Sequence, residues 1–187
     1  MTGFAFKLVL CGAGGVGKTA LLHRVATGEF VQNTKMTIGV DFRVVPVKIK
    51  DGKADLLIWD FGGEERFRFV LPSYLLGTHA VLLLYDLARD HTFYELQEWV
   101  DLVHEHAPGV PVMLCGAKAD LLGDAREWDL LPESIVEPYA ARARKFVDEN
   151  GLEGHVFLSS KTGLNVERTF REVAEKLAAS CTEKVNP

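Results

Sequence analysis

Short apolar runs alternate with segments in which apolar residues return every three or four positions, and the alternation covers nearly the whole chain. Runs near residues 5–11, 40–50, 54–60, 79–86, 110–116 and 154–159 have the length and aliphatic content of strands. Phe93, Leu96, Val100 and Val103 form a helical stripe, as do Val166, Phe170, Val173 and Leu177. Strands alternating with amphipathic helices predict an α/β fold, a six-stranded, mostly parallel sheet with helices on both faces. The tight-turn pair Asp51-Gly52 joins the second and third runs as an antiparallel hairpin. Pro46 cannot donate to a ladder, so the second strand belongs at an edge.

Boundary signals refine the picture. Thr92 with Glu95 reads as a capping box opening the Phe93 helix, and Gly28 and Gly151 stand where helices end. A stretch from Leu121 to Pro138, with Trp128 and two prolines, interrupts the alternation before a helix over 139–149.

A length of 187 residues with 48% hydrophobic residues fits one domain, 1–187, with a substantial core. The net charge of -5, without a Lys/Arg stripe, argues against nucleic acid as a partner. Three cysteines without metal-ligand spacing imply reduced thiols and a cytoplasmic setting. No apolar run is long enough to span a membrane, and neither Thr2 nor Cys181 fits a lipidation motif. Membrane contact, if made, is expected through partners.

Chemistry enters with Gly12-Ala13-Gly14-Gly15-Val16-Gly17-Lys18-Thr19, which reads G-x-x-x-x-G-K-[ST] between a strand and a helix beginning near Ala20. Glycines let backbone N–H groups turn toward a phosphate, and the helix N-terminus adds partial positive charge. Lys18 supplies a point charge for β- and γ-phosphates, and the Thr19 hydroxyl suits Mg²⁺. The run 56–59 ends in Asp60, placed either to hold a metal shell or simply to cap the next turn. Gly63 offers an N–H to a γ-phosphate, and Thr37 offers a hydroxyl to the metal.

These motifs, with Thr37-Ile38-Gly39-Val40-Asp41-Phe42, Trp59-Asp60 through Gly63-Glu64-Glu65-Arg66-Phe67, and Ser159-Ser160-Lys161, resemble the Ras superfamily of small GTPases, nearest the Rab branch. The resemblance implies a P-loop NTPase fold, GTP and GDP as substrate and product, Mg²⁺, and a switch used in signalling or vesicle trafficking. It implies that residues 14–20 (Gly14, Gly15, Val16, Gly17, Lys18, Thr19, Ala20) hold the phosphates. Phe30, Lys118, Asp120, Ser159, Ser160 and Lys161 would hold the guanine. Asp120 would accept from the guanine ring N–H and exocyclic amine, a pair adenine lacks, although Lys118 and Asp120 also read as a solvated pair. Phe42, Trp59, Tyr74 and Arg66 would face effectors and regulators.

Several positions depart from that pattern. Ala117 replaces the asparagine that ties the base loop to the phosphate loop. Losing one or two hydrogen bonds costs roughly 1–3 kcal/mol if nothing replaces them, about 5- to 150-fold in affinity. Weaker binding and faster exchange are the expectation. Glu64 replaces the glutamine that orients the attacking water, leaving an acceptor beside an anionic phosphate. Catalysis is expected from Glu64, Lys18 and Gly63, slowly, with Gly14 leaving room for an arginine from a partner; Arg66 or Arg68 is a less natural source. Thr34 and Met36 replace an aromatic and a proline in the first switch. A nucleotide-holding scaffold with negligible turnover is the rival reading, and a P-loop ATPase or small-molecule kinase a third.

Overall fold

The computed structural model, which describes residues 3–32, 37, 39–50, 52–62, 70–123 and 131–183, lays six strands side by side. In chain order they are β1 (Phe4–Cys11), β2 (Val40–Ile49), β3 (Gly52–Phe61), β4 (Ala80–Asp86), β5 (Val112–Ala117) and β6 (Gly154–Phe157). Their order across the sheet is β2-β3-β1-β4-β5-β6. Every neighbouring pair is parallel except β2 with β3, so the expected fold class holds. Pro46 sits on edge strand β2, where a missing donor breaks no inner ladder. Ile49 pairs with Gly52, closing the hairpin; Asp51 itself lies outside the described residues, as does Trp128.

The helices are α1 (Lys18–Thr27), α2 (Leu71–Leu75), α3 (His91–Tyr94), α4 (Leu96–His106), α5 (Glu133–Asn150) and α6 (Val166–Glu183). Alternation within the strands supplies two cores. On one face Leu8, Leu10, Leu82 and Leu84 pack with Leu21 and Leu22 of α1 and Phe170 of α6. On the other, Val9, Val81, Leu83 and Tyr85 pack with Leu71, Trp99, Val100 and Ala143. Both faces being covered by helices is why the inner strands read as unbroken apolar runs.

Three boundaries differ from expectation. The Phe93 stripe is carried by two helices, α3 and α4, joined at Glu95. Phe93, Leu96, Val100 and Val103 still enter one core, so periodicity cannot reveal the break. Thr92 is not a cap: α3 starts at His91, two residues earlier than a Thr92 cap would place it, and Thr92 is buried. Its hydroxyl donates to the Arg89 carbonyl at 2.7 Å and accepts from the Asp86 N–H at 2.9 Å, pinning α3 to the end of β4. Finally, α5 begins at Glu133 rather than near 139, with Pro138 inside it. Pro132 opens the first turn, its carbonyl accepting from the Ile135 and Val136 N–H groups at 2.8 and 3.3 Å. Pro138 then removes only the rung to Ser134, and Ala140 and Ala143 bury the helix well enough to tolerate it. Gly28 and Gly151 cap α1 and α5 in the left-handed conformation, as expected.

Candidate functional site

Parallel strands leave all their carboxyl ends at one edge of the sheet, and the residues singled out above gather there. The loop after β1 runs into α1, Asp60 stands near the end of β3, Lys118 and Asp120 follow β5, and Ser159 to Lys161 follow β6. Between these loops lies a cleft of about 740 Å³ lined by residues 14–20, Phe30, Thr37, Lys118, Asp120, Ser160 and Lys161.

At one end, Gly17 adopts φ +108° and turns the chain into α1. The first intrahelical bond runs from the Leu21 N–H to the Gly17 carbonyl at 2.8 Å. The N–H groups of Lys18, Thr19 and Ala20 therefore have no partner within the helix, and neither a side-chain cap nor an acidic residue occupies this end. An anion fits there by charge and by hydrogen bonding. Lys18 is buried, and Nζ donates to the carbonyls of Gly12 at 2.7 Å and Ala13 at 2.9 Å. Burial pulls its ammonium down to about 8, against the opposing attraction of Asp60.

Beside Lys18, three oxygens meet. Thr19 Oγ1 donates to Asp60 Oδ2 at 2.5 Å, Thr37 Oγ1 donates to the same oxygen at 3.1 Å, and the two hydroxyls lie 2.7 Å apart. Asp60 Oδ1 is buried with no hydrogen-bond partner among the described residues. Burial raises the Asp60 carboxyl above its usual range, although both threonines and Lys18 counteract it. A buried carboxylate with a spare oxygen among hydroxyls fits a hard, oxygen-seeking divalent cation. The turn that Asp60 would otherwise cap runs into residues 63–69, which lie outside the described residues.

At the other end, Ser159 is fully buried behind the cleft wall. Its hydroxyl donates to Asp120 Oδ1 at 2.5 Å, and Lys161 Nζ lies 3.8 Å from Oδ2. The carboxylate is thus aimed rather than solvated at random. The Ala119 N–H donates to the Leu158 carbonyl at 3.1 Å, joining the two base-side loops. Phe30 lines the cleft wall and is 36% exposed.

Two side chains that the sequence reading missed support this arrangement. Asp86, buried at the end of β4, accepts from Lys118 Nζ at 2.8 Å, from Arg89 Nε at 2.7 Å and from the Ala88 N–H at 2.9 Å. Burial alone would raise its carboxyl, but these donors outweigh it and hold it below the usual range. A lone acid ending the apolar run 80–85 at the same sheet edge as Asp60 was a legible signal for it. Arg89 carried no such signal.

Outside the cleft, Phe42, Trp59 and Tyr74 form one row, with centroid separations of 5.1 and 5.4 Å. Phe42 is 54% exposed, whereas Trp59 and Tyr74 are half-buried and pack against the core that holds Phe61 and Leu71. Thr34, Met36, Ile38, Gly63, Glu64, Glu65, Arg66, Phe67 and Arg68 lie outside the described residues. Among the described residues no helix is long and apolar enough to cross a membrane.

Comparison with known proteins adds a second line of observation. The sequence matches the Ras family model over residues 7–179. It is 40% identical over 175 residues to the cow protein named Ras-related protein Rab-26, covering 92% of this chain and 64% of that one. It is 33% identical over 186 residues to the beet Ras-related protein RAB1BV, covering 97% of this chain and 81% of the relative. Against Rab-8B of Dictyostelium discoideum it is 32% identical over 175 residues, with coverage of 93% and 80%. The chain therefore spans just under two thirds of the Rab-26 length.

Proposed function

Since the chain belongs to the Ras family, we propose that it is a guanine-nucleotide switch that binds GTP, hydrolyses it to GDP and phosphate, and meets effectors through the loops around the cleft. Residues 1–187 act as one nucleotide-binding unit. The observation that carries the reading is the pairing of ends: an anion site at Lys18 and α1, and an Asp120 carboxylate fixed by Ser159 across the same cleft. Phosphates would lie on residues 14–20 and the base against Phe30, Lys118, Asp120, Ser160 and Lys161. Thr19, Thr37 and Asp60 would hold Mg²⁺, whose charge when bound offsets that on the phosphate oxygens.

Within that site Asp120 selects guanine, because only guanine presents two N–H donors to one carboxylate. Asp120→Asn exchanges an acceptor for a donor facing those N–H groups. GTP affinity is expected to fall about 10²-fold, a loss of roughly 3 kcal/mol, while ATP gains nothing. Competition binding with GTP, xanthosine triphosphate and ATP checks it, and equal competition by ATP in the unaltered protein would remove the reading.

Glu64 accepts a hydrogen bond from the attacking water, which supports slow turnover. Glu64→Ala is expected to lower single-turnover phosphate release, and Glu64→Gln to raise it about tenfold by adding a donor toward the γ-phosphate. Unchanged rates in both would take Glu64 out of the mechanism and favour a scaffold that holds nucleotide without turnover. The Phe42, Trp59 and Tyr74 row, with Arg66 nearby in sequence, supplies the partner surface. The protein works in the cytoplasm and reaches membranes through such partners.

A further inference from the structure

We propose that Arg89 is the tether between the phosphate loop and the base loop, doing the work left undone by Ala117. The proposal rests on the reading of the cleft as a guanine-nucleotide site.

The connection is continuous. Arg89 Nη2 donates to the Gly14 carbonyl at 3.1 Å, and its Nε donates to Asp86 Oδ2 at 2.7 Å. The same Asp86 oxygen takes Lys118 Nζ at 2.8 Å. A carbonyl of the phosphate loop is thereby joined to the lysine of the base loop through one guanidinium and one buried carboxylate. Position 117 is too short to make such a link: the Ala117 methyl has no polar atom, and its carbonyl already accepts from the Leu87 N–H at 3.0 Å.

Chemistry favours this role over a direct phosphate contact. A guanidinium offers donors in a fixed fork, and here one prong meets a carboxylate while the other meets a main-chain carbonyl. Its plane also covers the loop, since a side chain starting at Gly15 would stand 3.4 Å from Nη2. Thr92 fixes the turn that presents Arg89, through the Arg89 carbonyl at 2.7 Å. Asp86 is almost fully buried, so the pair it makes is less screened than a surface ion pair. Arg89 is therefore a positioning residue: it touches no substrate, but it holds two loops that do.

The test compares wild type, Arg89→Ala, Arg89→Lys, Ala117→Asn and the Arg89→Ala/Ala117→Asn pair, each loaded with fluorescent GDP, by the rate of nucleotide release. Arg89→Ala is expected to release about tenfold faster, equivalent to losing one charge-assisted hydrogen bond of roughly 1.4 kcal/mol. Arg89→Lys keeps the charge without the fork and is expected to release nearly as fast as Arg89→Ala. Ala117→Asn in the double variant is expected to recover most of the loss, a non-additivity that general damage to the fold would not produce. Hydrogen exchange of amides 12–17 in nucleotide-free protein supplies an arm independent of the ligand, with faster exchange expected in Arg89→Ala. Unchanged release and unchanged exchange would overturn the tether, as would full recovery by Arg89→Lys. If wild type retains no guanine nucleotide, the reading of the cleft fails, and the exchange arm alone decides for or against the tether.

Discussion

Lys18→Met is expected to lower GTP affinity on the order of 10³-fold while leaving the free fold nearly as stable as before. Removing one partner of a buried charge pair costs about 3–5 kcal/mol, and the phosphates would be the partner left behind. The free protein faces a different balance. Two hydrogen bonds to the Gly12 and Ala13 carbonyls are lost, worth about 1 kcal/mol each. Against that, an ammonium that burial disfavours is replaced by an apolar side chain of similar length. Urea unfolding of nucleotide-free protein, beside equilibrium titration with GTP, separates the two effects. A loss of stability as large as the loss of affinity would show that Lys18 holds the loop rather than the ligand.

The same residue sets a pH dependence. Because burial brings Lys18 down to about 8, the ammonium is present below that pH and must be regained on binding above it. Phosphates favour the charged form, so affinity is expected to fall as pH rises through about 8, by up to tenfold per unit. Calorimetry at pH 9 in buffers of different ionisation enthalpy checks it: wild type should take up close to one proton, and Lys18→Met none. The free protein shows the opposite slope from this group. A base whose folded value lies below its ordinary 10.5 adds stability as pH climbs from about 8 toward 10.5, while Cys11, pushed up to about 12, works against it above 9.0.

Much of this was written in the pattern of residues because both faces of the sheet are covered. Leu8 and Val9, or Leu82 and Leu83, serve opposite cores, so each inner strand is an unbroken apolar run with sharp ends. Those ends fall at one edge, and the motifs that follow them converge there without further assumption. What resisted reading were features made by side chains reaching across the chain. Thr92 has the spacing of a cap, yet its hydroxyl serves Asp86 and Arg89. Arg89 looks like any exposed arginine after a strand until Gly14 and Asp86 are seen on either side of it. Pro138 suggested a helix boundary because the local rule carries weight only where tertiary packing does not oppose it. The missing asparagine at 117 was visible, but its replacement lies 28 residues away, beyond the reach of any local pattern.

Gly12→Ala is expected to destabilise the fold by about 3–5 kcal/mol, the range reserved for changes that force backbone to move. Gly12 has φ +132°, and a Cβ built there would stand 2.2 Å from the Leu84 carbonyl oxygen. The neighbour cannot step aside cheaply, because Leu84 belongs to β4 and is paired with Cys115 of β5. Relief would require pulling β1 away from β4 where Cys11 meets Leu83, which also shifts the loop that leads into Lys18. Gly17→Ala is the matched control: its φ of +108° imposes strain, but nothing lies within 4 Å of the added carbon. It is expected to cost only about 1–2 kcal/mol. Urea denaturation of both variants without nucleotide decides the matter. Near-equal losses would mean that backbone conformation, and not the approach of β1 to β4, dictates glycine at position 12.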